Sequence, residues 1–113
     1  MPLGTETRPL TQDNQPEGPL SGYRVLDLTD EKGALCGRLL AERGAKTIKV
    51  EPPGGDPARR NGPFLNDDPD PGKSLYFWEQ NASKLSITLN LESEEGRGLL
   101  CRLVEKADIL VES

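Results

Sequence analysis

The chain contains no histidine, so the usual general base of a serine or cysteine nucleophile pair is missing. Its two cysteines, Cys36 and Cys101, fall in separate predicted helices without clustered acids beside them, which leaves no zinc site of ordinary composition and no metal centre to expect. Each lies on an apolar helix face, where a cysteine reads as a buried packing residue suited to a reducing compartment. Aromatics make up only 4% of the chain. No apolar run approaches the roughly 20 residues of a membrane span, and residues 1–19 lack the basic, apolar and small-residue order of a signal peptide. Lysine and arginine number 14 against 19 acids and are scattered, so neither nucleic acid nor an anionic membrane surface finds an electrostatic footprint. A cytoplasmic protein is the expectation.

What is present amounts to one domain at most, since only 34% of 113 residues are hydrophobic and a core of that size is small. Residues 1–19 are rich in proline and polar side chains with isolated leucines at Leu3 and Leu10; such a composition cannot offset the entropy of ordering and reads as a disordered leader. The remainder, 20–113, opens with a strand, helix, strand unit. Tyr23 to Leu28 is a short apolar run, residues 33–43 place Leu35 with Leu39 and Cys36 with Leu40 at i,i+4 spacing, and Thr47 to Glu51 resumes a period of two. Gly44 stands where a helix ends in left-handed conformation. Ligands on sheets of this kind bind at the carboxyl ends of the strands, here near Thr29 and beyond Glu51.

Proline, glycine, aspartate and asparagine dominate residues 52–73, and a loop of that length is usually functional or mobile. Its acids Asp67, Asp68 and Asp70 follow no calcium-loop pattern and read as solvated. Ser74 to Gln80 forms a predicted helical turn holding Tyr76, Phe77 and Trp78. Leu85, Ile87, Leu89 and Leu91 then alternate with polar residues, as in a strand near a sheet edge. Ser93 caps a helix that carries Glu94 and Glu95 in its first turn, Leu99, Leu100, Leu103 and Val104 inside, and Lys106 in its last turn. Residues 108–112 read as a buried strand. The fold class is therefore α/β: a Rossmann-like, mostly parallel sheet in the order β-α-β-loop-β-α-β. Because the chain stops right after its last strand, where such folds place their chemistry, the expectation is the amino-terminal part of something longer.

Two places invite a phosphate. Strand one leads to Gly33 and Gly37, but the third glycine of a dinucleotide fingerprint is absent and Asp30 and Glu31 would repel a pyrophosphate, so close helix packing is the simpler role. The stretch from Pro53 to Arg60 joins consecutive glycines to Arg59 and Arg60, which can turn backbone N–H groups and guanidinium donors toward an anion. On spacing alone it is an ordinary turn with two solvated arginines.

The residues Leu20-Ser-Gly-Tyr-Arg-Val-Leu-Asp-Leu-Thr29, Leu39-Leu-Ala-Glu-Arg-Gly-Ala45, Ile48-Lys-Val-Glu-Pro52 with Gly55, Asp56 and Arg59, Ser74-Leu-Tyr-Phe77, and Ala107-Asp-Ile-Leu-Val-Glu112 together resemble the start of the class III CoA-transferases and the related α-methylacyl-CoA racemases. The resemblance covers 20–113. It implies a Rossmann-like large domain, an interlocked homodimer as the parent, and movement of CoA between an acyl-CoA thioester and a carboxylic acid through an aspartate. It implies no permanently bound cofactor, coenzyme A or acyl-CoA being substrate. For individual residues it implies Arg59 at the CoA phosphates, Lys84 and Leu89 at the nucleotide end, and Glu51 and Asp56 holding the loop. By pattern alone Leu89 is a core residue and Lys84 a solvated charge.

Departures from the family pattern are local. The usual Ala-Gly-Pro turn after the first strand is replaced by Asp30 to Leu35, a basic residue after the strand-two glutamate is Pro52, and a lysine beyond the third strand is Glu92. No residue of this chain corresponds to the catalytic aspartate, so the 113-residue chain on its own is expected to be inactive. Two other readings stand beside this one: a non-catalytic CoA-binding or interaction module from a degenerate or fused transferase, and, with less support, an NAD-dependent oxidoreductase.

Overall fold

Alternating side chains let two faces of one strand do different work, and here they differ sharply. A computed structural model describes residues 18–113; the expected leader lies outside the described residues except for Gly18 and Pro19, which enter a turn docked by the Leu20 N–H on the Arg43 carbonyl, 2.9 Å. The elements are β1 (Arg24–Leu28), α1 (Ala34–Glu42), β2 (Lys46–Glu51), three short 3-10 turns (Pro57–Arg60, Leu65–Asp67 and Pro71–Lys73), α2 (Leu75–Gln80), β3 (Leu85–Thr88), α3 (Glu94–Val104) and β4 (Ile109–Glu112). The four strands are all parallel in the order β3-β2-β1-β4. This is the α/β topology read from the sequence, with the glycine-ended α1 confirmed by Gly44 at φ 106°.

Register sorts the side chains. Val25 pairs with Thr47, Asp27 with Lys49 and Lys49 with Ser86, so one sheet face carries Val25, Asp27, Thr47, Lys49, Glu51 and Ser86. Helix α1 packs on this face against β1 and β2, and α2 packs against α1 and the first 3-10 turn. The other face carries Leu26 and Ile48, beside which Leu103 of α3 encloses a small cavity of about 140 Å³.

Four expectations need correction. The buried stripe of α1 consists of Ala34, Gly37 and Ala41, while Leu35, Leu39 and Cys36 are exposed. Small residues win because the polar sheet face beneath them is already filled by long side chains, and only a thin helix face fits above it. Cys101 is exposed as well, because α3 turns only part of its apolar surface to the sheet. The strand at residues 108–112 is an edge strand with alternate residues exposed, not a buried one. Helix α3 also ends at Val104, leaving Lys106 beyond it.

Ser74 and Ser93 cap α2 and α3 by accepting from the N–H groups of Phe77 and Gly96, the expected use of serine at a helix start. Asp108 fixes β4 to β1 by accepting from the Arg24 N–H, 2.9 Å.

Candidate functional site

The carboxyl ends of all four strands converge on one cleft of about 620 Å³. Thr29 and Asp30 follow β1, Glu51 and Pro52 close β2, Leu89 to Glu92 follow β3, and Ser113 follows β4. The order β3-β2-β1-β4 sends the chain from β1 to opposite sides of the sheet, which is where open parallel sheets form their ligand crevice.

The cleft floor is held by a buried ionic network. Lys49, 1% exposed, donates to the Thr29 carbonyl and pairs with the Asp56 carboxylate, each at 2.8 Å. It therefore ties the exit of β1 to the loop after β2. Asp56 also accepts from the Ala58 N–H and starts the first 3-10 turn. Glu51 takes both faces of a bidentate contact from Arg59, 2.7 Å for each bond, along with the Asp56 N–H and the Ser86 hydroxyl. Burial pushes the Glu51 carboxyl upward, but the bonds from Arg59, Ser86 and the Asp56 N–H outweigh it and hold the group at about 2. The Arg59 guanidinium lies over the Phe77 ring, 3.8 Å from its centroid, which further fixes it.

A second buried pair lies deeper. Lys84 approaches Asp27 to 2.5 Å and also donates to Asn81 Oδ1 at 2.6 Å and the Ala34 carbonyl at 3.0 Å. Asp27 Oδ1 accepts from the N–H and the hydroxyl of Thr29, 2.8 and 2.5 Å. Burial pushes the Lys84 ammonium below its ordinary value, and the bond and charge of Asp27 offset part of that.

Of the five residues singled out in the sequence, Glu51, Asp56 and Leu89 line the cleft. Arg59 and Lys84 do not. Arg59 spends its guanidinium on Glu51 and on the Pro71 carbonyl, so in this geometry it shapes the loop. Lys84 is not the solvated charge that its position at a strand start implied: Asn81 and Asp27 draw it under α1. The consecutive glycines do adopt left-handed conformations, with φ 88° at Gly54 and 91° at Gly55, and Gly55 leaves the space that the Arg59 side chain occupies.

Asp27, Lys49, Ser86 and Asn81 were missed by sequence reasoning. A signal existed for two of them. Asp27 and Lys49 occupy inward positions in strands whose neighbours Val25 and Thr47 are buried, and a charge at an inward position demands a partner. The acids Asp67, Asp68 and Asp70 form local contacts: Asp70 accepts from the Gly72 N–H and Asp68 pairs with Lys73 at 2.7 Å.

Parallel strands with helices packed on them and a cleft across the strand ends define a Rossmann-like α/β unit. The profile of CoA-transferase family III matches residues 20–113, and the chain belongs to that family. It is 43% identical over 111 residues to the acetyl-CoA:oxalate CoA-transferase of Acetobacter aceti, covering 96% of this chain and 26% of that protein. It is 45% identical over 97 residues to the succinyl-CoA:mesaconate CoA-transferase of Haloarcula marismortui, covering 85% of this chain and 24% of that one. A solved structure of a CAIB/BAIF family protein from Brucella suis superposes with a TM-score of 0.75 at 41% identity, over 84% of this chain and 25% of that chain. The chain thus spans about a quarter of the length of the relatives it matches.

Proposed function

We propose that this chain is the amino-terminal portion of an enzyme that moves CoA between an acyl-CoA thioester and a carboxylic acid, and that it supplies part of the CoA site without the catalytic aspartate. The observation that carries this reading is the single cleft formed by all four strand ends, in a chain whose relatives are CoA-transferases. Glu51, Asp56, Arg59 and Lys49 hold the loop that forms one wall, and Leu89 supplies apolar surface. Lys84 acts through the position of α1 and the start of β3. The parent is a cytoplasmic, interlocked homodimer without a permanently bound cofactor. No helix among the described residues is long and apolar enough to cross a membrane.

A non-catalytic CoA-binding module is the second reading, favoured by the lack of any basic residue lining the cleft. An NAD-dependent oxidoreductase has less support, because Gly37 faces Asp27 and Lys84 instead of an open phosphate site. Calorimetric titration of the chain with CoA, acetyl-CoA and NAD, beside an assay of CoA transfer to a dicarboxylate, separates the two CoA readings from the NAD one. Binding of CoA without NAD binding or turnover is expected. Absence of CoA binding overturns the proposal, and turnover by this chain alone overturns the need for a distant aspartate.

A further inference from the structure

The first turn of α3 is packed onto the loop that leaves β3. Ser93 donates its N–H and its hydroxyl to the Asn90 carbonyl, at 3.2 and 2.9 Å, and Asn90 Oδ1 accepts from the Glu92 N–H at 3.0 Å. Gly96 faces the same carbonyl so closely that a Cβ there would collide with it. Helix and loop therefore meet backbone to backbone, an approach that only glycine permits at this position. The next residue, Arg97, is carried to the edge of the cleft. Its Nη1–H donates to the Leu91 carbonyl at 3.2 Å, and Leu91 lines the cleft.

No cation lines the cleft itself, and most of those around it are committed elsewhere. Lys49 and Arg59 are spent on Asp56 and Glu51, Lys84 on Asp27, and Lys32 on Asp30 at 3.2 Å. The exposed Arg60 lies beside Gly54, which is not a lining residue. Among the described cations, Arg97 alone combines a hydrogen bond to a lining residue with the lack of an ion-pair partner. The nearby acids Glu92, Glu94 and Glu95 are exposed and leave it unpaired. A guanidinium has five N–H donors. One is used on Leu91, and the others suit planar, bidentate contact with a carboxylate or a phosphate. Of the groups in CoA, the phosphates answer this chemistry.

We infer that Arg97 is a binding residue for a phosphate group of the coenzyme, reaching it from the rim of the cleft at Leu91. The inference rests on the reading that CoA enters this cleft. It moves to Arg97 the phosphate contact that the resemblance implied for Arg59, whose guanidinium is turned onto Glu51 and the Pro71 carbonyl.

Calorimetry with CoA at several salt concentrations tests this on the wild type and on Arg97→Gln, Arg97→Lys and Arg102→Gln, with urea midpoints verifying the fold of each. Arg97→Gln should weaken CoA binding by roughly ten-fold at low salt, the order expected for one charge-assisted contact. The loss should shrink as salt rises and screens the wild-type contact. Arg97→Lys should keep the salt dependence while losing part of the affinity, since the charge remains and the fork does not. Arg102 lies in the last turn of α3 and outside the cleft lining, so Arg102→Gln removes the same charge and should leave the affinity near that of the wild type. Unchanged affinity in Arg97→Gln, a loss independent of salt, or an equal loss in Arg102→Gln overturns the inference while leaving the CoA site standing. Failure of the wild type to bind CoA overturns both the inference and the reading on which it rests.

Discussion

Asp27 and Lys84 form an ion pair of 2.5 Å with side chains only 0% and 1% exposed, brought together across the sheet from β1 and from the turn before β3. The contact is an ion pair and not an aligned hydrogen bond, since Asp27 Oδ2 has no hydrogen-bond partner of good geometry. Removing one member leaves the other charge stranded where solvent does not reach it. Lys84→Met should therefore destabilise the chain by about 3–5 kcal/mol. Adding Asp27→Asn should recover a large part of the loss, because the amide oxygen still accepts from Thr29. Denaturant midpoints of the three proteins check this; a single variant as stable as the wild type would show that the pair is dispensable.

Glu51 makes stability depend on acid. Its folded value of about 2 lies below the ordinary 4.5, so above pH 4.5 the carboxylate is ionised in both states and its full contribution is present. As pH falls below 4.5 the unfolded chain takes up the proton first, and the contribution declines until it is gone below about 2. The span corresponds to about 3 kcal/mol. Urea midpoints measured from pH 7 down to pH 2 should fall across this window. Glu51→Gln should be less stable at pH 7 and show a shallower decline; a slope equal to that of the wild type would assign the acid sensitivity to other groups.

The α/β order, the glycine-ended first helix, the Ser93 cap and the edge position of β3 were legible because each depends on local pattern: a period of two, i,i+4 pairs, or a residue type at a helix boundary. The identity of the buried α1 face was not. Leu35 and Leu39 have the stronger apolar signal, yet Ala34, Gly37 and Ala41 are inside because Asp27 and Lys84 rise beneath them. That depends on a contact between residues far apart in sequence, and no periodicity within α1 reports it. The site was half legible for the same reason. Glu51 could be placed at the end of β2 by counting, Asp56 and Leu89 were reached only through the family resemblance, and the turn of Arg59 onto Glu51 and Phe77 needs the folded loop.

Gly37 and Gly98 should respond in opposite directions to the same substitution. A Cβ on Gly37 would crowd the Asp27 carboxylate and come within 3.1 Å of Lys84 Cε, and neither group can leave without breaking the buried pair. Gly37→Ala should cost about 1–3 kcal/mol. Gly98 lies inside α3 with nothing within 4 Å of a added Cβ, so Gly98→Ala should stabilise by about 0.5–1 kcal/mol through helix propensity. Thermal or urea unfolding of the two variants decides the matter, and equal effects of one sign would refute the steric account.

The exposed apolar surface of α3 and β4 should make the isolated chain self-associate. Leu99 is 41% exposed, Val104 43% and Leu110 51%. Strand β4 is also a sheet edge, pairing only with β1 among the described strands. An apolar edge of this kind offers unpaired backbone groups and side chains to a second copy. Light scattering should show species larger than a monomer that increase with concentration, and a hydrophobic dye should bind. Leu110→Lys places a charge on the exposed edge, where it opposes edge-to-edge pairing without entering the polar face occupied by Asp27. That variant should be smaller in solution and should bind less dye, with little change in its unfolding midpoint. A wild-type chain that stays monomeric and free of dye at all concentrations would show that this edge is already protected.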